Sequence, residues 1–292
     1  MSTHAVTGAT SFTGRFIAQR LERAGHVVRN LSRLELGDGD RLAAALDGTD
    51  TLYNTFWIRF ERGPITYDWA IERSRLLFDA ARRAGVRRIV HISVINASHD
   101  APTAYFRAKA VVEDALTASG IAYAIVRPTV TFGPGDILVN NLAWTLRRLP
   151  LFGVPGDGRY PIQPVHVEDV AAVAVRAGDI TEDVTLDAGG PETFTFDEFV
   201  ALVRQAVGSR ARLVHLPAMA SLAAASLIGL FVRDVVLTRH EVTELRERLM
   251  FSTGPPAGTN RLGDWLAANA ETIGRNWSSE LDRHFRRPTA GP

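Results

Sequence analysis

One lysine stands among 33 basic residues: Lys109, four positions after Tyr105 and sixteen after Ser93. Side chains four apart lie on one helix face, a turn from each other. The run Arg88-Ile-Val-His-Ile-Ser93 reads as a strand, which puts the Ser93 hydroxyl at a strand's end. A free phenol titrates near pH 10, so only about one part in a thousand is ionised at neutral pH. A neighbouring ammonium favours the phenolate, which lets Tyr105 exchange a proton with a substrate oxygen. Ser93 can then donate a hydrogen bond to that oxygen as charge develops on it. In a chain with 32 arginines, retention of one lysine marks a position that a planar guanidinium fork does not suit.

A second cluster is Val6-Thr7-Gly8-Ala9-Thr10-Ser11-Phe12-Thr13-Gly14, between an apolar run and an amphipathic stretch. A strand–turn–helix junction of this kind presents backbone N–H groups to a pyrophosphate at the positive helix end. Gly8 supplies the turn, and Gly14 lets the helix pack on the sheet. Gly8, Thr10, Ser11, Phe12, Thr13 and Gly14 are therefore expected to hold a dinucleotide. Ser11 departs from the usual middle glycine, though its hydroxyl can itself bond a phosphate oxygen. With a nicotinamide present, Tyr105 and Lys109 also become cofactor contacts, the ammonium holding the ribose hydroxyls.

The next strand ends Arg29-Asn30-Leu31-Ser32-Arg33, with no acid before Glu35. NAD recognition usually uses a carboxylate here, whereas a 2′-phosphate prefers arginine. Ser32 and Arg33 thus point to NADP, with NAD as the alternative. A charge-assisted bond of about 1.5–3 kcal/mol corresponds to a preference of roughly ten- to a hundredfold.

These residues need a frame, and the first 130 positions supply one. Strand patterns at 4–7, 26–31, 51–55, 88–93 and 123–127 alternate with helical patterns at 12–24, 42–46, 67–84 and 105–119. Such alternation predicts an α/β, Rossmann-type doubly wound parallel sheet. Gly25, Gly85 and Gly120 are placed as helix C-caps. The short segment before residue 42 leaves little room for a further strand. Helices are expected at 137–149, 167–176 and 196–207, and a strand at 184–187. The expected division is a dinucleotide-binding domain over 1–135 with part of 160–190. A smaller, mostly helical substrate or interaction lobe is expected over 136–160 and 190–292. Residues 216–232 carry no charge and read as a buried helix or a dimer interface, being short for a membrane span. The tail, 261–287, reads as one or two polar helices.

Composition narrows the function. A net charge of +1 argues against nucleic acid as a partner, and the absence of cysteine removes disulfides and thiolate chemistry. No histidine pair has metal-ligand spacing, so no metal is expected. The N-terminus runs directly into a strand, which makes the cytoplasm the expected compartment. A small molecule is the expected partner, a homodimer is open, and membrane association is disfavoured.

The chain resembles the short-chain dehydrogenase/reductase superfamily, nearest its extended and atypical branches. The glycine turn, the Ser93/Tyr105/Lys109 set, the segment from Val126-Arg127-Pro128 to Asp136, and Val165-His166-Val167-Glu168-Asp169 carry the resemblance. It is similar to NAD-dependent epimerase/dehydratase proteins, to NmrA-like sensors and to the nucleotide-binding accessory subunit of respiratory complex I. The resemblance implies that Pro128, Thr129 and Val130 approach the nicotinamide. It also places Asn54, Thr55 and Phe56 along the adenosine ribose. Trp57, Asn96, His99, Phe132, Asn140, Trp144 and His166 follow strand ends or fall in the second lobe, and are the expected substrate contacts. The leading expectation is an NADP(H)-dependent reductase or dehydrogenase acting on a small or apolar carbonyl/hydroxyl pair. An epimerase or dehydratase with tightly held NAD, or a dinucleotide-binding regulator or assembly subunit without turnover, are the alternatives.

Overall fold

A computed structural model describes residues 1–32 and 35–285. Strand β1 (Thr3–Thr7) leads into α1 (Phe12–Arg23), β2 (Val27–Leu31), α2 (Gly39–Leu46) and β3 (Thr51–Asn54). Then come α3 (Tyr67–Arg83), β4 (Arg88–Ile92), α4 (Ala104–Thr117) and β5 (Ala122–Pro128). The chain continues through β6 (Val130–Phe132), α5 (Leu138–Arg148), β7 (Leu151–Pro155), β8 (Pro161–Ile162), β9 (Pro164–His166) and α6 (Val167–Asp179). It ends with β10 (Val184–Ala188), β11 (Phe194–Thr195), α7 (Phe196–Ala206), β12 (Arg212–Leu216), α8 (Ala218–Val232), α9 (Arg239–Arg246), α10 (Leu262–Asn269) and α11 (Glu280–His284).

Six strands form one sheet in the order β10-β5-β4-β3-β1-β2, and every pairing is parallel. Every residue of β3 and β4 is buried, as expected of central strands covered on both faces. One face packs on α2, α3 and α4 around Leu52, Leu77, Phe78 and Val112; the other packs on α1 and α6 around Val6, Ile17, Leu21 and Ala174. The chain leaves β1 toward β2 on one side and toward β3 on the other, so the strand order reverses at β1. That reversal opens a crevice at the carboxyl ends of β1 and β3, where such sheets bind ligands.

Beyond β2 the described residues form a short 3₁₀ turn and α2 rather than another strand. The small pairs β6–β9, β7–β12 and β8–β11 lie outside the main sheet. Each strand in them has only two to five residues, too few to show a periodicity of its own. A third core gathers Phe132, Leu142, Phe199, Val203 and Leu266 from this later part of the chain. Residues 218–232 are helical as read, but the expectation of a buried helix is corrected. Small residues Ser221, Ala225 and Gly229 face inward, while Met219, Leu227, Leu230 and Phe231 are 62–82% exposed. Among the described residues, no helix is long and apolar enough to cross a membrane.

Candidate cofactor and active site

The turn after β1 is built around two glycines. Gly8 has φ +64°, a conformation that side chains disfavour, and Ser11 N donates to its carbonyl at 2.7 Å. A Cβ on Gly14 would lie 2.1 Å from that same carbonyl oxygen, so only glycine lets α1 start here. Ser11 is the N-cap of α1, its Oγ accepting from Gly14 N at 3.3 Å. Asn30 of β2 braces the turn by accepting from Ala9 N at 2.9 Å. Thr10 and Ser11 are exposed and Phe12 and Thr13 half-buried, at a helix start whose first N–H groups lack carbonyl partners within the helix. The cradle fits a dinucleotide phosphate: it is positive, open and closed to any larger residue at Gly14.

Next to it, buried polar groups lock three strand ends together. Thr7 Oγ1 donates to Asn54 Oδ1 (3.0 Å) and accepts from Thr55 N (2.7 Å) and Phe56 N (3.1 Å). Thr55 Oγ1 returns a bond to Thr7 O, and Asn54 Nδ2 donates to His91 Nδ1 at 3.0 Å. Complete burial, with Lys109 nearby, holds His91 well below its ordinary pKa, so the ring is neutral. Asn54 thus serves to tie β1, β3 and β4. Of the expected ribose contacts, Thr55 is half-buried and Phe56 is buried.

Ser93 follows β4, its N–H bonded to Val126 O and its Oγ buried without a partner. Lys109 is 3% exposed and donates to Ile92 O at 3.0 Å, one residue before Ser93. Its ammonium also lies 4.6 Å from the centre of the Trp57 ring. Tyr105 meets the same indole edge-on at 6.2 Å, and Trp57 stacks on Tyr67 at 6.1 Å. Trp57 thus meets both members of the Tyr–Lys pair, and its buried Nε1 has no partner. No direct hydrogen bond joins Ser93, Tyr105 and Lys109, as is common before a ligand tightens such a site.

The electrostatics differ from the expected direction. Burial brings Lys109 from 10.5 down to about 7, with Glu113 opposing the change. Tyr105 is pushed above its ordinary value rather than below it, first by burial and then by the nearby Glu244. The difference has a simple cause: Lys109 is buried, and the half-buried phenol is faced by a carboxyl from another helix.

Glu244 reaches this pocket from α9. Thr103 precedes α4 as its N-cap, yet its hydroxyl donates to Glu244 Oε1 at 2.9 Å instead of capping the helix. Burial lifts Glu244 to about 7. Arg59 lies in the loop after β3 and bridges Glu241 on α9 to Glu280 on α11. Asn96, with φ 57°, donates to Leu249 O and Phe251 O, both at 3.1 Å. The segment from α9 to residue 251 is thereby strapped over the loops after β3 and β4. Thr103, Glu244, Arg59 and Tyr67 were not among the expected site residues. Thr103 is two residues from Tyr105 in sequence, but only the fold brings Glu244, Arg59 and Tyr67 near the phenol, and a 141-residue separation leaves no sequence signal for the Thr103–Glu244 bond.

The remaining expectations sort unevenly. Among the seven substrate candidates, Trp57 stands beside Tyr105 and Lys109; the other six make fastening or packing contacts elsewhere. Asn96 holds the strap. His99 is exposed and bonds Asp114 on the outer part of α4 at 2.6 Å. Phe132 is fully buried against His166 and Trp265. Asn140 holds Asn276 O, Ser278 Oγ and Gly274 N in place. Trp144 packs edge-on against Trp277, and His166 caps α6 by accepting from Glu168 N. Pro128 ends β5, Thr129 Oγ1 donates to Gln163 O at 2.5 Å, and Val130 is half-buried in β6. Ser32 is half-buried after β2. Arg33 lies outside the described residues. Among the described residues, no cluster of acids and histidines could hold a metal ion.

A parallel sheet with a glycine cradle at its switch point defines a Rossmann-type dinucleotide-binding protein. The chain belongs to the NAD(P)H-binding family, whose profile matches residues 8–179. It is similar to the NADH dehydrogenase [ubiquinone] 1 alpha subcomplex subunit 9 of Arabidopsis thaliana, at 27% identity over 73% of this chain and 60% of that protein. The chain thus spans less than two thirds of that mitochondrial relative. It is 31% identical to a (4-alkanoyl-5-oxo-2,5-dihydrofuran-3-yl)methyl phosphate reductase of Streptomyces griseus, over 72% of this chain and 76% of that one. In fold it matches an Escherichia coli NADPH-dependent quinone oxidoreductase solved with NADPH, with a TM-score of 0.68, 20% identity, and coverage of 91% and 99%. These likenesses fit the extended short-chain dehydrogenase/reductase branch.

Proposed function

We propose that this NAD(P)H-binding protein is an NADP(H)-dependent oxidoreductase interconverting a carbonyl and a hydroxyl on a small or apolar substrate. The observation that carries the reading is the buried, unpartnered Ser93 Oγ beside the Lys109–Ile92 bond at the carboxyl end of β4. Such a group calls for a partner that the free protein does not supply. In this reading Gly8, Thr10, Ser11, Phe12, Thr13 and Gly14 hold the pyrophosphate. Thr55, Phe56, Thr129 and Val130 flank the rest of the dinucleotide. A bound nicotinamide would supply or accept the hydride. Ser93 Oγ donates to the substrate oxygen, and Tyr105 Oη gives or takes that oxygen's proton. Lys109 holds the ribose hydroxyls and, in its protonated form, sets positive charge next to the phenol. Trp57 and Tyr67 form an apolar wall that keeps water from the reacting carbon.

The preference for NADP rests on the absence of an acid at the end of β2, with Asn30 committed to the turn, and on Arg33. The reading is tested by thermal shift with NADPH and NADH, followed by turnover of NADPH with a panel of aldehydes, ketones and quinones. Stronger stabilisation by NADPH together with turnover is expected. A second reading, a dinucleotide-binding subunit without turnover, draws on the mitochondrial relative and on the commitment of Lys109 to Ile92 O and Trp57. Tight NADPH binding with no turnover across the panel would favour it. Copurifying NAD without net redox change would favour the epimerase alternative.

A further inference from the structure

Helix α8 turns its small residues inward and its large ones out. Met219, Leu227, Leu230 and Phe231 share one face with Ala220, Ala223 and Ser226, making an unbroken, uncharged exposed stripe along the helix. Patches of this kind on an otherwise ordinary globular surface mark an interaction site. The ends of the stripe are basic. Arg233 follows its C-terminus, and at its N-terminus a cavity of about 500 Å³ is lined by Arg159, Arg246, Arg248, Asp157, Pro217 and Ala218. None of these four arginines has an ion pair among the described residues. In a chain whose net charge is +1, that is a local excess of positive charge around an apolar face.

We propose that α8 docks this protein onto an anionic phospholipid surface, the apolar stripe entering the acyl boundary and the arginines taking the phosphates. The charge pattern selects this occupant over a second copy. Two copies paired through the stripe about a two-fold axis would set the arginines of one helix against those of the other, in either orientation. An anionic surface is attracted by those same charges. The 15-residue helix is too short to span a bilayer, so the contact lies in the plane of the surface.

The test is cosedimentation of the full chain with vesicles of phosphatidylcholine alone and of phosphatidylcholine with about one third phosphatidylglycerol. The wild type should pellet with the anionic vesicles, less so in high salt. Joint replacement Leu227→Ser, Leu230→Ser and Phe231→Ser should weaken that binding at least about tenfold, with an unchanged circular dichroism spectrum and NADPH binding. Arg246→Gln with Arg248→Gln should weaken it by about tenfold on anionic vesicles alone. The proposal is overturned by absence of pelleting, by equal pelleting with neutral vesicles, or by retained binding in the triple variant. A solution dimer that the triple variant converts to monomer would assign the stripe to a second copy and overturn it equally.

Discussion

Lys109 and Glu244 are both buried titratable groups near Tyr105, and each leaves a signature on stability. Folded Lys109 releases its proton near pH 7, whereas the unfolded side chain keeps it to about 10.4. Between those values the unfolded chain binds more protons, so stability rises with pH. Relative to Lys109→Met, the wild type should gain up to about 1.4 kcal/mol per pH unit from pH 7 toward 10, read as Tm. A pH-independent difference would mean the amine is not buried uncharged. Glu244 has the opposite sign: protonated up to about pH 7 when folded but ionised from about 4.3 when unfolded, it costs stability as pH rises through that window. Glu244→Gln should therefore raise Tm at pH 8, by an amount equivalent to about 1–3 kcal/mol, and leave it unchanged at pH 4. In the chemistry itself, Lys109→Arg should lower turnover at least about a hundredfold while preserving the fold. A rigid, always charged five-donor fork does not replace a compact amine between one carbonyl and an indole face.

At the scale of elements, two joints position this pocket. Gly14→Ala would place a methyl carbon 2.1 Å from Gly8 O, so α1 must move off the turn. A lower Tm and loss of NADPH affinity are expected together; unchanged binding would mean that the cradle does not hold the cofactor. Arg59→Met would leave Glu241 and Glu280 without their shared cation, and Glu280 is nearly fully buried. A cost of about 2–4 kcal/mol is expected, with earlier proteolysis between α8 and α11 than in the wild type. The main elements were legible because each β–α unit carries its own signals. Buried strands read as apolar runs, and Gly25, Gly85 and Gly120, read as C-caps, all have positive φ. The short pairs β6–β9, β7–β12 and β8–β11 were not legible, because tertiary pairing rather than local pattern defines them. The uncharged run at α8 was legible as a helix. Its orientation was not, since a helix apolar on every side gives no sign of which face turns inward.

For the whole molecule, the parallel order and its reversal at β1 bring residues 8–14, 54–57 and 93–109 to one edge of the sheet. Ser93, Tyr105 and Lys109, singled out from type and spacing alone, fall within that stretch because the Tyr–Lys pair shares one helix turn and Ser93 directly follows a strand. The substrate side was less legible. Asn96, Asn140 and His166 are polar residues near strand ends or in the second lobe, a description that fits a ligand contact and a fastening bond equally well. In the fold all three make fastening bonds. Binding of NADPH at about 100 times its Kd should stabilise the whole chain by about 2.7 kcal/mol, and NADH at the same concentration by less. Equal stabilisation would remove the case for NADP. The most direct test of the proposed chemistry compares wild type and Tyr105→Phe in NADPH oxidation with the best carbonyl substrate of the panel, alongside NADPH binding. Turnover reduced at least about a hundredfold with binding unchanged is the predicted result. Turnover near the wild-type rate in Tyr105→Phe would contradict it.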